Sequence, residues 1–497
     1  MATEVNERTR LLSQSDDSAP PLKDLEEWEE PRNWTVSYRW LCIAVISIYG
    51  LISPVIAAII VPAMPQIAAD LNVTDPGMLQ AFVSVYVLGW SFAPLVVGPL
   101  SEVYGRISLL NTGHGLFLVF NALCAFARTD YQLLILRFIT GAVGSAPLSI
   151  GAGIIGDLWA PEERGLSISL YTLGPLLGPA IAPITGAYIV SHTSWRAIFA
   201  WCSLYIFVTW VFGLCILRET FRPVLIQRKQ AAAVRNGQRQ GSAQQHHKSL
   251  ADVFRQDLRR PFTFLGTQPI IQVLSLFMGY LFGLNHLSIT TFESVWTDIY
   301  NQTPSRAALN YISIAGGFIL GSQITGSLND RVPYPVPLSN PSRYLTLADL
   351  HPLHLQRPRK GTPELRTILM LPAALLVPAG LLIYGWSAQT HSHWIIPNIG
   401  IGIYALGLIM SYQCIQAYVL DCYAVYAASA MGALTILRSL LGFVLPILAP
   451  LIYRTLGYGW GSSLLALWAL VMGGLVPVLL WRYGAVLRKR SGILEEI

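Results

Sequence analysis

The sequence predicts an all-α membrane protein with about twelve transmembrane helices, and three observations support this fold class. Hydrophobic residues make up 53% of the 497 positions and charged residues only 12%, whereas soluble domains carry about 25% charged residues. Apolar runs of about 20 residues, the length that crosses a hydrocarbon core of about 30 Å, recur along the chain. Lysine and arginine collect in a few loops between these runs.

Each predicted span is one of these apolar runs, and most of them are joined by short loops. The first run follows a polar segment and therefore does not look like a cleaved signal peptide. The predicted spans are 41–62, 79–100, 108–127, 131–155, 166–191, 196–217, 264–291, 306–328, 367–388, 395–419, 431–453 and 461–483.

The distribution of basic residues predicts the orientation of the spans. Residues 217–261 and 331–366 are densely basic, whereas 61–78 contain no lysine or arginine. Positively charged loops stay in the cytoplasm, so we place both termini and the long central loop there. The net charge of +6 follows from this bias and gives no reason to expect a nucleic-acid partner. The predicted organisation is a cytoplasmic tail (1–39), a six-helix half (40–217), a central loop (218–262), a second six-helix half (263–483) with a cytoplasmic insert (331–366), and a tail (484–497).

The central loop divides the chain into two halves of similar hydropathy. Such internal symmetry is typical of secondary transporters, whose substrate site lies near the midplane between halves that rock against each other. A scaffold of twelve spans without transport is the structural alternative. A membrane-embedded enzyme would need a catalytic or metal-ligating constellation near one membrane face, and the sequence shows none. A non-transporting membrane sensor would need an extended interaction domain, whereas the loops and tails of this chain are short.

The cysteines and the glycosylation motifs add two smaller predictions. The six cysteines show no CxxC spacing, so the sequence indicates neither a disulfide framework nor a metal site. Asn72 in "NVT" and Asn301 in "NQT" are acceptor motifs for N-glycosylation, and both fall in loops predicted to lie outside the cytoplasm. We expect no cofactor, and we expect a monomer in the lipid bilayer.

A short loop after the second predicted span carries the first family motif. It reads "GPLSEVYGRISLL" (98–110) and contains Gly98, Glu102, Gly105 and Arg106. This loop resembles a motif of the major facilitator superfamily. The general family pattern has aspartate in place of Glu102, and the variant found in this chain is typical of fungal drug:proton antiporters. The second half has a degenerate copy, "GSLNDR", which ends in Asp330 and Arg331.

Further matches follow in family order over nearly the whole chain. They are "LRFITGAVGSAP" (136–147), "GDLWAPEERG" (156–165), "GPLLGPAIAPITG" (174–186), "WRAIF" (195–199), "LRETFRPVL" (217–225), "LDCYAVYAASAMGALTILRSLLG" (420–442) and "YRTLGYGWGSSLLA" (453–466). The resemblance implies a twelve-helix efflux transporter that exchanges a small organic molecule for protons by alternating access. It implies the plasma membrane as the location, or the vacuolar membrane, because "ERTRLL" (7–12) resembles a dileucine sorting signal.

The resemblance also implies a charge cluster at the cytoplasmic ends of the helices that latches one conformation. Such a cluster is bistable because its ion pairs break when the helices move. The predicted latch comprises Gly98, Glu102, Gly105, Arg106, Asp157, Asp330 and Arg331.

The fifth predicted span is unusually rich in proline and glycine. Its glycines recur at about i+4 spacing, which lets another helix approach closely, and its prolines bend the helix. In antiporters this motif is thought to seal the inner ends of the two halves, and a kinked packing helix without a gating role is the alternative. The motif residues are Gly174, Pro175, Gly178, Pro179, Pro183 and Gly186.

Two arginines fall inside apolar spans, where a charged side chain costs about 2.5–3.5 kcal/mol. Arg137 resembles the family's coupling arginine near the substrate and the proton path, and its alternative is a brace bonded to helix carbonyls. Arg438 is a candidate partner of Asp421, in a functional or a structural pair. No Asp or Glu lies in the middle of the first span, so Asp157, Glu293 and Asp421 remain the candidates for the proton-carrying carboxylate.

Polar and aromatic residues within two later spans are the candidates for substrate contacts. A broad apolar cavity with few polar groups suits amphipathic organic molecules. Polyamines or other organic cations are the alternative substrate class, and the scarcity of acidic residues in mid-span argues against it. The candidate residues are Tyr280, Asn285 and His286 in one span and Gln413, Gln416 and Tyr418 in the other. His286 has the alternative of an interior histidine with a structural role.

Overall fold

The computed structural model describes residues 29–159, 165–235, 250–331, 366–423 and 427–490. Within these ranges the chain is helical apart from short connections, and no β-strand occurs there. The helices are α1 (Val36–Ala58), α2 (Met64–Leu71), α3 (Pro76–Tyr104), α4 (Arg106–Cys124), α5 (Asp130–Gly144), α6 (Ala146–Leu158), α7 (Gly165–His192), α8 (Trp195–Ile216), α9 (Arg222–Arg235), α10 (Leu250–Thr267), α11 (Pro269–Ser294), α12 (Pro304–Leu309), α13 (Tyr311–Arg331), α14 (Arg366–Gln389), α15 (Ile395–Cys422) and α16 (Ala427–Arg490).

The described helices supply twelve apolar spans, as the sequence predicts. Ten runs are long and apolar enough to cross a membrane, and α7 adds an eleventh if its two bent segments are taken as one span. The run in α16 extends over 56 residues, about twice the length that a bilayer requires. It counts as two spans because the backbone breaks at Gly457, with φ 73° and ψ 172°. This left-handed region favours glycine.

The first span is interrupted within the membrane, which the sequence pattern of a single run at 41–62 does not predict. Helix α1 ends at Ala58, a 3₁₀ turn follows at Val61–Ala63, and α2 continues to Leu71. Pro62 and Pro65 lie at the starts of the turn and of α2. Because proline has no backbone N–H to donate, these positions cannot continue the hydrogen bonding of α1. The last carbonyls of α1 therefore need other partners.

Two other spans also depart from a single straight helix. The predicted span 131–155 is divided at Ser145 into α5 and α6, and Pro147 lies in the first turn of α6. In α7 the segments 170–179 and 181–192 meet at an angle of 46°. This bend coincides with the prolines of the fifth-span motif, as the sequence predicts.

The spans form two bundles, α1–α8 and α11–α16. In the first bundle α1 packs on α7 and α3 packs on α5, and in the second α11 packs on α16 and α14 packs on α15. The bundles meet where α3 contacts α16 and α7 contacts α13. We call the end of the molecule at which α1 and α4 begin the basic end, because the basic segment after α8 leaves the bundle there. The predicted boundaries of the halves and loops stay predictions.

Both predicted glycosylation sites lie at the end opposite the basic end. Asn72 and Asn301 are exposed, and their φ angles are 54° and 51°, a left-handed conformation that asparagine tolerates better than most residues. Their exposure leaves room for a glycan, and glycosylation itself stays a prediction.

Candidate functional site: a cavity between two helical bundles

A cavity of about 1170 Å³ lies between the two bundles. Its lining extends from Ala57 at the break of the first span and Asn285 in α11 to Gly98 and Gly326 near the basic end. Pockets for drug-sized ligands measure about 300–1,000 Å³, so the cavity has room for one such molecule. Apolar and aromatic side chains from both bundles form much of its wall, among them Val87, Trp90, Phe282, Leu408 and Tyr412.

Four of the six predicted substrate residues line this cavity. Asn285 and His286 reach it from α11, and Gln413 and Gln416 reach it from α15. Gln413 Nε2 donates to Ser322 Oγ at 2.8 Å, which holds the amide of Gln413 against α13. The structure therefore brings together polar residues that are more than 120 positions apart in the sequence.

The two predicted tyrosines lie outside the cavity lining. Tyr280 OH donates to the carbonyl oxygen of Leu465 at 2.6 Å, so its hydroxyl connects α11 to the last span. Tyr418 is fully buried within the second bundle. Sequence reasoning placed both residues on the correct helices but could not determine which face of each helix points to the cavity.

Arg137 is fully buried in the first bundle and makes three hydrogen bonds to backbone carbonyls. Its Nη1 donates to Ile56 O at 2.9 Å, its Nη2 to Ala57 O at 3.2 Å, and its Nε to Phe82 O at 3.0 Å. Ile56 and Ala57 belong to the last turn of α1, where the broken span leaves carbonyls that need partners. A cation at the C-terminus of a helix is also favoured by the helix dipole.

This geometry is that of a brace between helices. The guanidinium of Arg137 also lies over the ring of Tyr86 at 4.7 Å, and Arg137 is absent from the cavity lining. The contacts support the structural alternative that the sequence left open. The guanidinium of Arg137 does not face the cavity.

Arg438, in contrast, lines the cavity. Its guanidinium lies 4.9 Å from the ring centroid of Phe282, and its Nε is buried with no hydrogen-bond partner among the described residues. Asp421 is exposed at the end of α15. The structure does not bring Asp421 and Arg438 into an ion pair.

At the basic end, part of the predicted latch forms an ion pair. Arg106 Nε lies 2.6 Å from Asp157 Oδ2, and both side chains are mostly buried. The guanidinium of Arg106 also covers the ring of Phe221 at 4.9 Å. These contacts join the start of α4 to the end of α6, so they lie within the first bundle. For Glu102, Asp330 and Arg331 the structure describes the helical backbone but not the side chains, and the latching role stays a prediction.

Glu219 is a member of this cluster that the sequence reasoning did not single out. Its Oε1 accepts hydrogen bonds from the backbone N–H groups of Arg106, Thr220 and Phe221 at 2.9–3.1 Å. One carboxylate therefore caps the first turn of α4 and the start of α9, which are adjacent in space but distant in sequence. The motif "LRETFRPVL" contained the only signal, an acid just after the predicted span 196–217.

Gly105 allows this arrangement. Its φ of 97° lies in the left-handed region, and a Cβ there would overlap the carboxylate of Glu219. The glycine of the loop motif thus provides both the turn between α3 and α4 and the space for the cap.

Replacing Glu219 with alanine should lower the free energy of unfolding by about 1–3 kcal/mol, because three backbone donors lose their acceptor at a buried site. Thermal unfolding of the purified full-length protein measures this change. Glu30→Ala is the matched control, since its ion pair with Arg222 is partly exposed and surface pairs contribute about 0–1 kcal/mol. Equal shifts for both variants would show that the cap contributes no more than a surface pair.

The glycines of the fifth-span motif pack α7 against α1. A Cβ at Gly174 would lie 3.2 Å from Ser47 O, one at Gly178 would lie 2.6 Å from Pro54 Cβ, and one at Gly186 would overlap Ile59 O. All three close contacts are with the first span and belong to one bundle. The sequence predicted this close approach, but not the partner helix. Pro175 and Pro179 line the cavity, whereas Pro183 is buried.

The three candidate proton carriers occupy different surroundings. Asp157 is bonded to Arg106 and accepts from Thr220 Oγ1 at 3.2 Å. Glu293 is half-buried near the far end of α11, and Asp421 is exposed at the basic end. None of the three is among the residues that line the cavity.

A cavity between two six-span bundles is the architecture of an alternating-access membrane transporter. The profile of the Major Facilitator Superfamily matches residues 46–446, and the chain belongs to this family, as its motifs predict. The chain is a multi-pass membrane transporter.

Comparison with known proteins agrees with this assignment. The chain is 90% identical over 497 residues, the full length of both chains, to the MFS-type transporter oryF of Aspergillus oryzae (strain ATCC 42149 / RIB 40). It is 37% identical over 464 residues to the efflux pump vrtL of Penicillium aethiopicum, which covers 93% of this chain and 89% of the relative. The xylose transporter XylE from E. coli, in a partially occluded inward open conformation, superposes with a TM-score of 0.64 at 15% identity over 90% of this chain and 98% of that chain.

Proposed function

We propose that this transporter exports a small amphipathic organic molecule, such as a toxin, a drug or a fungal secondary metabolite, by proton antiport. The observation that carries the proposal is the cavity between the bundles, whose apolar and aromatic wall also carries polar side chains such as Asn285, Gln413 and Gln416. Such a wall suits amphipathic ligands. The relative vrtL, named an efflux pump, supports export.

The conformation suits loading from the basic end. The cavity reaches Gly98 and Gly326 near that end, whereas at the opposite end α7 contacts α12 and the Val61–Ala63 turn contacts α11. The basic segments assign the open end to the cytoplasm. A molecule made in the cytoplasm therefore reaches the cavity directly, and release requires the bundles to rock.

Proton coupling is the second part of the proposal. We keep Asp157, Glu293 and Asp421 as the candidate carriers, because each is a carboxylate within or at the end of a span. The plasma membrane is the proposed location, with the vacuolar membrane as the alternative. Both membranes carry a proton gradient that drives export from the cytoplasm.

Vesicles with the basic end outside and an acidic lumen provide the test. The probes are three naphthalene derivatives of matched size: 2-naphthoate, 2-naphthamide and 2-naphthylmethylamine. We expect at least one probe to accumulate, the lumen to become more alkaline as it does so, and a protonophore to abolish both signals. Protein-free vesicles are the control for passive partition.

Two results would contradict the proposal in different ways. Accumulation without a change in lumenal pH would exclude proton antiport and leave transport standing. Binding of a probe without accumulation in any vesicle would identify a membrane sensor instead of a carrier.

A further inference from the structure

Arg438 is a charged group inside the membrane, and the part of the chain that the structure describes supplies no carboxylate to compensate it. It lies in the middle of the first span of α16, and no ion pair to it occurs among the described residues. A charged side chain at this depth costs about 2.5–3.5 kcal/mol even on mild scales. The ring of Phe282, 4.9 Å from the guanidinium, offers a cation–π contact, and Nε remains without a hydrogen-bond partner.

Arg137 shows what a purely structural arginine looks like in the same chain. All three of its guanidinium nitrogens donate to backbone carbonyls, and it is sealed from the cavity. A buried guanidinium with five N–H donors is normally bonded in this way. Arg438 has the same charge and a comparable depth but faces open space. This contrast points to a partner that is supplied from outside the chain.

Three other side chains in the cavity lining also carry a buried polar atom without a hydrogen-bond partner among the described residues. Asn285 Oδ1, His286 Nε2 and Tyr412 OH are buried and have no hydrogen-bond partner among the described residues. Each of these residues is only 8% exposed, and each lines the cavity. His286 and Tyr412 pack their rings against Phe282, at centroid distances of 4.4 and 6.2 Å. Unpaired buried polar groups are costly, and these three surround one side of the cavity.

The charged side chains among the described residues that line the cavity have one sign. Among the described residues that line it, Arg438 and Arg260 are the charged residues, and none is Asp or Glu. Arg260 lies at the end of the cavity nearer the basic end, and Arg438 lies deeper. The described lining therefore favours an anion at the depth of Arg438, where a cation meets like charge.

We propose that the transported molecule is an organic anion whose carboxylate binds Arg438. The guanidinium can hold a carboxylate through two parallel N–H···O bonds, and His286 Nε2–H and Tyr412 OH can donate to its remaining lone pairs. Asn285 Oδ1 is an acceptor, so it suits a hydroxyl or N–H group elsewhere on the molecule. The apolar part of the molecule then packs against Phe282, Val87 and Leu408. This inference rests on the proposed function only in that the ligand occupies the cavity, and it argues against the organic-cation alternative.

Calorimetric titration of the purified full-length protein in nanodiscs tests the charge preference without any transport step. The probes are 2-naphthoate, 2-naphthamide and 2-naphthylmethylamine, with empty nanodiscs as the blank. We expect 2-naphthoate to bind about tenfold or more tightly than the neutral amide, since a hydrogen bond to a charged partner contributes about 1.5–3 kcal/mol. We expect the amine to bind more weakly than the amide.

Variants assign the preference to one residue. Arg438→Gln should abolish the advantage of 2-naphthoate over 2-naphthamide, and Arg438→Lys should retain part of it because the charge remains. Arg454→Gln, at an exposed position on the same helix and outside the cavity lining, should leave the wild-type ratio unchanged. The ratio of two affinities is insensitive to a partial loss of folded protein.

Equal binding of the three probes to the wild-type protein would overturn the inference, as would an unchanged ratio in Arg438→Gln. These failures are distinct from a failure of the proposed function. Preferential binding of the carboxylate without accumulation in vesicles would support the inference and contradict the proposed export. Proton-coupled accumulation of the amine alone would support proton-coupled export and contradict the inference.

Discussion

Arg137→Ala is expected to destabilise the folded protein severely. Removing the side chain leaves the last carbonyls of α1 without their donors and opens a cavity among α1, α3 and α5. Truncation of a large buried side chain costs about 3–5 kcal/mol, and the carbonyls left without donors add to this cost. Thermal unfolding of the purified protein and its monodisperse yield measure the effect.

Arg137→Lys and Arg128→Ala are the matched variants for this prediction. Lysine keeps the charge and a donor, so it should recover part of the stability, whereas Arg128 is exposed just before α5 and its replacement should be near neutral. A stable Arg137→Ala protein that binds substrate but no longer exchanges protons would contradict the bracing role. That outcome would favour the coupling role implied by the family motif.

Gly178→Leu should separate α7 from α1 and remove most of the folded protein. Even a Cβ at this position would lie 2.6 Å from Pro54 Cβ and 3.3 Å from the backbone of Val55, and leucine adds three further carbon atoms. Overpacking costs about 1–3 kcal/mol where side chains can move, and at this position backbone atoms block the way. Size-exclusion chromatography and the midpoint of thermal unfolding are the measurements.

Gly474→Leu is the control for Gly178→Leu. A Cβ at Gly474 has no neighbour within 4 Å, so this change adds the same volume on a membrane-spanning helix without a clash. Similar yields for the two variants would show that the contact between α7 and α1 tolerates a side chain. Gly178→Ala, if it folds, allows proton leak through vesicles to be measured, which tests the sealing role of the motif.

Hydropathy predicts the spans of this protein well because a bilayer imposes one length on each of them. It cannot predict interruptions within a span, since the proline positions 62 and 65 lie in an apolar context whether or not the helix continues. The break after Ala58 is therefore visible only in three dimensions. The position of Arg137 follows from this break, because the broken end of α1 requires a donor.

The sequence predicted part of the candidate site. Polar residues identify the helices that line a cavity, but they do not show which face of each helix points to it. Asn285, His286, Gln413 and Gln416 are polar residues in apolar spans, which marks them in the sequence, and all four line the cavity. Tyr280 is also a polar residue in an apolar span, but its hydroxyl donates a hydrogen bond to the last span. A polar residue in a membrane helix faces either a cavity or a neighbouring helix, and the sequence does not distinguish them.

The cap formed by Glu219 has a consequence for how the chain folds during synthesis. Its carboxylate completes the first turn of α4, although the two positions are 113 residues apart. At a synthesis rate of about 5–20 residues per second, Glu219 is added about 5–25 s after Arg106, so the backbone N–H of Arg106 has no carboxylate acceptor from Glu219 during that time. The first bundle therefore reaches its final hydrogen bonding only after α8 and Glu219 have been synthesised.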